Sequence, residues 1–151
     1  MAGDQPFLER PVAQVPRVVI DTNVLVAAAY KPESASARVV SACLSGRLQA
    51  VVSLDLVREY RHILSKAVAN RPWHPTLDQL LASAIRIDPD QTPAVVSADP
   101  SDDMLFAAAR AGAAEVIVTN DRPVLQVRLH QGVRVVRPPA CLEELLGETS
   151  V

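Results

Sequence analysis

The sequence predicts an α/β protein with three layers, in which helices cover both faces of a central, mostly parallel sheet. Three observations favour this class. Short runs of β-branched residues recur along the chain, and segments with helical periodicity separate them. Two of these runs end directly in polar and acidic residues, as strands of open α/β sheets do where they form a site. Glycine and proline stand between many of the segments and mark the ends of elements.

Length and composition suit one folded domain with a hydrophobic core of its own. The chain has 151 residues, of which 49% are hydrophobic and only 3% aromatic, so Val, Leu, Ile and Ala must fill the core. Residues 1–16 contain Pro6, Pro11 and Pro16 without periodicity, and we expect them to be a flexible N-terminal tail. Residues 17–147 are then expected to form a single domain.

Charge and cysteine usage narrow the class of protein further. The net charge of −2 shows no overall basic signature of a nucleic-acid binder, although a bound metal ion can supply local positive charge. Cys43 and Cys141 lack metal-ligand spacing, and we expect both to be buried, reduced residues. The absence of a membrane-spanning apolar run and of a secretory signal predicts a cytoplasmic protein without membrane contact.

The elements of the first half follow from hydrophobic periodicity and from breaks in it. Val18, Val19 and Ile20 are successive β-branched residues, which pack well in a strand buried on both faces. Gly46 is a suitable stop for the first predicted helix. The predicted elements are a strand at 17–21, a helix that begins at 33 or 34 and stops at Gly46, a strand at 50–53 and a helix at 54–69. The apolar stripe of the last helix consists of Leu56, Tyr60, Ile63, Leu64 and Ala67.

The second half begins after a break at Pro72 and Pro75. Leu77, Leu80 and Leu81 form the inward face of the helix that follows. The predicted elements are a helix at 76–84, a short strand or extended stretch and then a loop within 85–100, a helix at 101–112, a strand at 115–119, a short helix at 123–129, a strand at 133–136 and a helix at 139–146.

Acidic residues follow two of the predicted strands. Asp21 comes directly after the first strand, and Asp121 follows the strand at 115–119. If these strands are neighbours, both carboxyl groups reach the same edge of the sheet. The alternative is that Asp21 only caps the next segment or makes a local turn, because aspartate often bonds to its own backbone.

Three further carboxyl groups could reach the same edge. Asp102 and Asp103 open the helix that leads into the second of these strands, where capping would need only one of them. Glu59 lies on the apolar stripe of its helix, where a carboxylate is costly without a partner. It is either a buried site acid or an edge residue paired with Arg38 or Arg58.

Carboxylates gathered at one point would repel each other unless a divalent cation neutralised them. Oxygen ligands select hard ions such as Mg²⁺ or Mn²⁺, and the absence of His and Cys from these positions argues against zinc. Such an ion orients water for attack on phosphate and stabilises the leaving oxygen. The residues therefore predict metal-assisted hydrolysis of a phosphodiester, with water as the nucleophile.

These motifs resemble those of the PIN-domain family, and especially the toxin components of bacterial toxin–antitoxin systems. The resemblance covers about 17–140, and the motifs occur in the family's order with similar gaps. The segments that carry it are Val19-Ile-Asp-Thr-Asn-Val-Leu25, Glu59-Tyr60, Asp102-Asp-Met-Leu-Phe-Ala-Ala-Ala109 and Val116-Ile-Val-Thr-Asn-Asp121.

The resemblance implies a small α/β/α domain that cleaves single-stranded RNA with Mg²⁺ or Mn²⁺. It also implies an antitoxin protein as a partner, and a homodimer. The acids carried over as catalytic residues and metal ligands are Asp21, Glu59, Asp103 and Asp121. The resemblance favours Asp103 over the alternative Asp102 because Asp103 stands eighteen residues before Asp121. Supporting polar residues are Asn23 and Thr119, together with Asn120, which occupies a position where the family often has glycine or a basic residue.

Two other functions remain open on the sequence alone. One is a PIN-like protein that binds RNA without cleaving it. The other is an acid-pocket phosphotransfer domain, either a phosphatase or a receiver domain. The phosphatase would have a second aspartate where Asn23 stands, and the receiver would have a lysine after a late strand, where Thr119 and Asn120 stand instead.

Overall fold

In the computed structural model, residues 14–88 and 100–148 are described. Most of the tail predicted at 1–16 lies outside these ranges, and so does most of the loop predicted within 85–100. In the described ranges, the chain alternates strands and helices as the sequence predicts. The strands are β1 (Arg17–Ile20), β2 (Gln49–Val52), β3 (Ile85–Arg86), β4 (Val116–Val118), β5 (Leu129–His130) and β6 (Val133–Val136).

The strands form one sheet in the order β3-β2-β1-β4-β6-β5. All neighbouring pairs are parallel except β5 and β6, which form an antiparallel hairpin at one edge. The predicted α/β class with a mostly parallel sheet is therefore confirmed. The strand order reverses between β1 and β4, and this reversal creates a crevice at their carboxyl ends.

Helices connect the strands and pack against the sheet. They are α1 (Thr22–Tyr30), α2 (Ala35–Leu44), α3 (Leu54–Ala67), α4 (His74–Ser83), α5 (Pro100–Ala111), α6 (Arg122–Leu125) and α7 (Pro138–Leu146). Serine caps fix two of the starts, because Ser34 accepts a hydrogen bond from the Ala37 N–H and Ser53 accepts one from the Leu56 N–H. None of the helices in these ranges is long and apolar enough to cross a membrane.

Two elements differ from the sequence-based prediction. Helix α1 was not predicted because its residues are apolar on nearly every side and show no periodicity. Strand β5 replaces the end of the short helix predicted at 123–129. There the backbone of Arg128 and Gln131 is left-handed, with φ of 62° and 50°, which turns the chain back into a hairpin.

The core is aliphatic, as the composition predicts. Val18, Val19, Ile117 and Val118 are fully buried between the helical layers. The predicted burial of both cysteines is confirmed, and burial raises the pKa of the Cys43 thiol to about 12. Ile63 was predicted to face inward but is 36% exposed, and Leu81 is only half-buried, because each lies at the edge of its helix's packed face.

Candidate metal centre

The carboxyl ends of β1 and β4 lie side by side, which brings the residues after them together. Ile20 pairs with Val118 in parallel register, and the Asp21 N–H donates to the Val118 carbonyl at 2.9 Å. Thr119 directly follows β4, and its N–H donates to the Val136 carbonyl of β6. The segment that follows each strand therefore leaves the sheet at one shared edge.

Three carboxyl groups meet at this edge. Asp21, Asp102 and Asp121 each offer one oxygen, and these oxygens all lie within 4.8 Å of one another. Asp21 is only 7% exposed and Asp102 only 8% exposed, whereas Asp121 is half-buried. The structure thus brings Asp102, from the first turn of α5, into the group, while Asp103, which the resemblance favours, lies outside it.

Capping does not account for two of these carboxyl groups. Asp21 is the N-cap residue of α1 and Asp121 is that of α6, yet neither side chain makes a capping hydrogen bond. In α6, Pro123 occupies a position near the start whose N–H a cap would otherwise use. Helix capping therefore does not explain either carboxyl group, although Asp21 also accepts a hydrogen bond from the Thr22 backbone, as a local turn would provide.

A polar network fixes one oxygen of Asp21. The Thr119 hydroxyl donates to Oδ2 of Asp21 at 2.8 Å, and Nδ2 of Asn23 donates to the same oxygen at 3.0 Å. The Thr119 oxygen accepts in turn from Asn23 Nδ2 at 3.3 Å and from the Asp121 N–H at 2.9 Å. The three side chains and the backbone of Asp121 thus form one connected unit.

The pKa of Asp21 is raised above its ordinary value, chiefly because burial disfavours the charged form. Hydrogen bonds from the Thr119 side chain and the Thr22 backbone lower the pKa, and the negative charges of Glu59 and Asp121 raise it again. Crowded, partly dehydrated carboxylates of this kind fit a divalent cation. Because the ligand atoms are all carboxylate oxygens, the site suits Mg²⁺ or Mn²⁺ better than zinc.

Glu59 lies beside the group of three carboxyl groups and is linked to it indirectly. Its Oε2 accepts a hydrogen bond from the Thr22 hydroxyl at 3.2 Å. The next residue, Tyr60, is fully buried and donates from its hydroxyl to the Ile20 carbonyl at 2.5 Å. Tyr60 therefore ties α3 to the end of β1, next to Asp21. Sequence reasoning missed both hydroxyls, although a buried tyrosine generally implies such a partner.

A separate apolar groove lies between α1, α2 and α4, with a volume of about 340 Å³. Leu25 and Val40 line it, and so do Trp73, Leu77 and Leu80 of the α4 region. Trp73 is buried and stacks on His74, with ring centroids 3.7 Å apart. Because the Trp73 ring is buried and already stacked on His74, this arrangement fits packing within the fold better than stacking on a nucleotide base.

Comparison with known proteins adds a family to this geometry. Residues 17–123 match the family model of the PIN domain. The fold is similar to PAE2754 from Pyrobaculum aerophilum, with a TM-score of 0.58 and 18% identity over 95% of this chain and all of that one. It is also similar to VapBC2 from Rickettsia felis, solved bound to a DNA fragment from their promoter, with a TM-score of 0.52 and 16% identity over 79% of this chain and 96% of that one. No curated protein matches the chain.

Proposed function

The chain belongs to the PIN-domain family, and on that premise we propose that it is a metal-dependent endoribonuclease that hydrolyses phosphodiester bonds of single-stranded RNA. PIN domains are generally nucleases. The observation that carries the proposal is the convergence of three carboxyl groups within 4.8 Å at the carboxyl ends of the central parallel strands.

In this proposal, Asp21, Asp102 and Asp121 hold one Mg²⁺ or Mn²⁺ ion. When bound, the ion supplies positive charge that offsets the phosphate and activates water for attack on phosphorus. Thr119 and Asn23 orient Asp21, because both donate to its Oδ2 atom, and the hydrogen bond from Thr119 opposes the rise in the pKa of Asp21. Hydrolysis then adds water across one P–O bond and leaves two RNA ends.

Glu59 is the fourth acid of the proposed site, next to the three acids that would hold the ion. Its link through the Thr22 hydroxyl keeps it close enough to raise the pKa of Asp21 by charge. We assign Asp103 a place in the first turn of α5, where a carboxylate interacts favourably with the helix dipole, and we keep it as the alternative ligand to Asp102.

A single strand fits this site better than a duplex. Asp21 and Asp102 are buried at the edge of the sheet, where one strand reaches them more readily than a duplex, and the net charge of −2 gives no overall basic signature for binding a duplex. Arg58 is exposed and precedes Glu59 in the sequence, and Arg122 is exposed and follows Asp121. We assign both arginines to the binding of backbone phosphates.

We propose further that the protein is the toxin of a toxin–antitoxin pair, acts in the cytoplasm and forms a homodimer. The fold it shares with VapBC2 supports the pairing. We assign the apolar groove between α1, α2 and α4 to the antitoxin, which would bind there through an amphipathic helix. Tyr30 and Leu44 are exposed hydrophobic residues at that end of the molecule, and Leu44 lines the groove itself.

The test is cleavage of end-labelled RNA by the purified protein, with Mg²⁺ or Mn²⁺ and then with excess chelator. We expect single-stranded RNA to be cut, a perfect duplex of the same sequence to be largely spared, and cleavage to stop in chelator. Asp21→Asn should remove the activity, whereas Asp55→Asn, which changes an exposed acid in the first turn of α3, should not.

The competing function is an RNA-binding PIN-like protein without cleavage. It predicts RNA binding that does not depend on the ion and is unchanged in Asp21→Asn. Full cleavage in chelator, or equal cleavage of the duplex, would overturn the proposal as stated.

A further inference from the structure

The loop that follows β4 is held by two other elements through a single exposed residue, Asn120. Its N–H donates to Oδ1 of Asn23 in α1 at 3.0 Å, and its Nδ2 donates to Oγ of Ser36 in α2 at 3.2 Å. Ser36 is buried in the first turn of α2 and is 84 residues away along the chain. Most side-chain hydrogen bonds of proteins go to backbone or water, whereas the Asn120 side chain bonds to another side chain on a distant helix.

The backbone contact of Asn120 determines how Asn23 is oriented. An amide side chain offers one acceptor oxygen and one donor nitrogen. Because the Asn120 N–H is a donor, the oxygen of Asn23 faces the loop and the nitrogen faces Asp21. That nitrogen then donates to Asp21 Oδ2 and to the Thr119 hydroxyl oxygen. The place of the loop therefore influences the orientation of a metal-binding carboxylate.

The side-chain contact of Asn120 affects the next residue, Asp121. The Asp121 carboxyl group makes no capping bond to α6, so the helix does not hold it. Its backbone N–H donates to the Thr119 hydroxyl oxygen, and the residue immediately before it is held by Ser36. The distance of Asp121 from the other two carboxyl groups consequently depends on the position of this short loop.

We propose that Asn120 is a positioning residue and that its hydrogen bond to Ser36, here called the latch, sets the affinity of the site for a divalent ion. The latch acts by holding Asp121 at the right distance from Asp21 and Asp102. This inference rests on the proposed function, since it assumes that those three acids bind the ion. Partners that orient metal ligands change metal affinity by roughly tenfold or more when they are removed.

The experiment compares Asn120→Ala, Ser36→Ala and the double variant with the wild-type chain. Asn70→Ala is the matched control, because Asn70 is another exposed asparagine, in the turn after α3. Mn²⁺ dissociation constants are measured by electron paramagnetic resonance, well below the melting temperature, and melts in chelator report the stability of the metal-free protein. We expect roughly tenfold weaker Mn²⁺ binding in each single variant.

The double variant should bind Mn²⁺ no more weakly than either single variant, because both remove the same hydrogen bond. An unchanged Mn²⁺ dissociation constant in Asn120→Ala would overturn the proposed role of the latch. If the metal-free melting temperature fell at the same time, the latch would be a structural contact only. Additive losses in the double variant would also overturn it. If the wild-type protein itself bound no Mn²⁺, the proposed metal centre would fail together with the latch.

Discussion

Asp21 combines burial with two neighbouring negative charges, and this combination makes its replacement informative. Asp21→Asn removes one charge but keeps an oxygen that accepts from Thr119 and Asn23. We expect the metal-free variant to be as stable as the wild type or more stable, by about 1 kcal/mol. Added Mn²⁺ should stabilise the variant less than the wild type, because it binds the folded variant more weakly. Thermal melts in chelator and in Mn²⁺ measure both effects.

A structural cap would give the opposite pattern. The free energy of unfolding of Asp21→Asn would then fall in chelator, and the response to Mn²⁺ would stay unchanged. That result would remove Asp21 from the metal centre and restore the capping interpretation of this residue.

The raised pKa of Asp21 also predicts a pH dependence in the metal-free protein. The folded state binds the proton more tightly than the unfolded state, whose pKa is near 3.8. The resulting stabilisation is fully present below the unfolded pKa and is lost as the pH rises through the folded pKa. Because Asn does not titrate, the melting temperature of Asp21→Asn minus that of the wild type should grow from acid to neutral pH in chelator. A difference that shrinks over this range would contradict the raised pKa.

Asp102 and Asp103 form a matched pair for a second test. Both lie in the first turn of α5 and interact with the same helix dipole, so neutralising either one has a similar electrostatic effect on the helix. We expect Asp102→Asn to weaken Mn²⁺ binding by more than about tenfold and Asp103→Asn to leave it near the wild-type value. Calorimetric titration with Mn²⁺ distinguishes the two. The reverse order would make Asp103 the ligand, as the family resemblance favours.

At the scale of whole elements, Gly112 shows how tightly the end of α5 approaches the sheet. A Cβ atom on Gly112 would lie 2.3 Å from Cγ1 of Val51, a fully buried residue of β2. We expect Gly112→Ala to lower the free energy of unfolding by about 1–3 kcal/mol, because the strand or the helix must shift. Chemical denaturation followed by circular dichroism measures the loss.

The adjacent residue provides the control for that prediction. Ala113 is exposed and has a left-handed φ of 55°, a conformation that glycine adopts without a steric cost. Ala113→Gly should therefore leave the free energy of unfolding unchanged or raise it, although a second glycine next to Gly112 increases the entropy lost on folding. Equal stabilities for Gly112→Ala and the wild type would show that β2 and α5 can separate without cost.

At the scale of the whole molecule, the proposed metal centre and the apolar groove are separate surfaces, so a substitution in one should leave binding at the other unchanged. Leu44→Arg places a charge at the rim of the groove, where Leu44 is 37% exposed, so the fold should tolerate it. We expect this variant to bind the proposed antitoxin more weakly, by roughly 2 kcal/mol or more, while its Mn²⁺ affinity stays unchanged. Calorimetry with the purified product of a neighbouring small gene measures the binding.

Leu129→Arg is the matched control for the groove. Leu129 is a more exposed apolar residue, 60% accessible, and lies on the hairpin at the edge of the sheet rather than in the groove. The Leu129→Arg variant should bind the proposed partner as tightly as the wild type does. Equal binding by Leu44→Arg and the wild type would place the antitoxin on another surface.

The sequence by itself determined the fold class, and it predicted the chemistry that we propose for the site. Runs such as Val18–Ile20 predict buried parallel strands, and the acids that follow them predict an oxygen-ligand site at the edge of the sheet. The fold class is confirmed, and Asp21 and Asp121 meet at one edge of the sheet, because both signals are local: a strand and the residue after it are read from adjacent positions. Helix α1 was missed because residues 24–29 are all apolar, so the sequence shows no helical period there.

Only the tertiary structure decided which groups meet. Adjacent helical residues point about 100° apart, so the packing of α5 alone determines whether Asp102 or Asp103 reaches Asp21. The contacts of Glu59 with Thr22 and of Asn120 with Ser36 join residues 37 and 84 positions apart. No local pattern specifies such pairs, because their distance is set by how the sheet and helices pack around the reversal between β1 and β4.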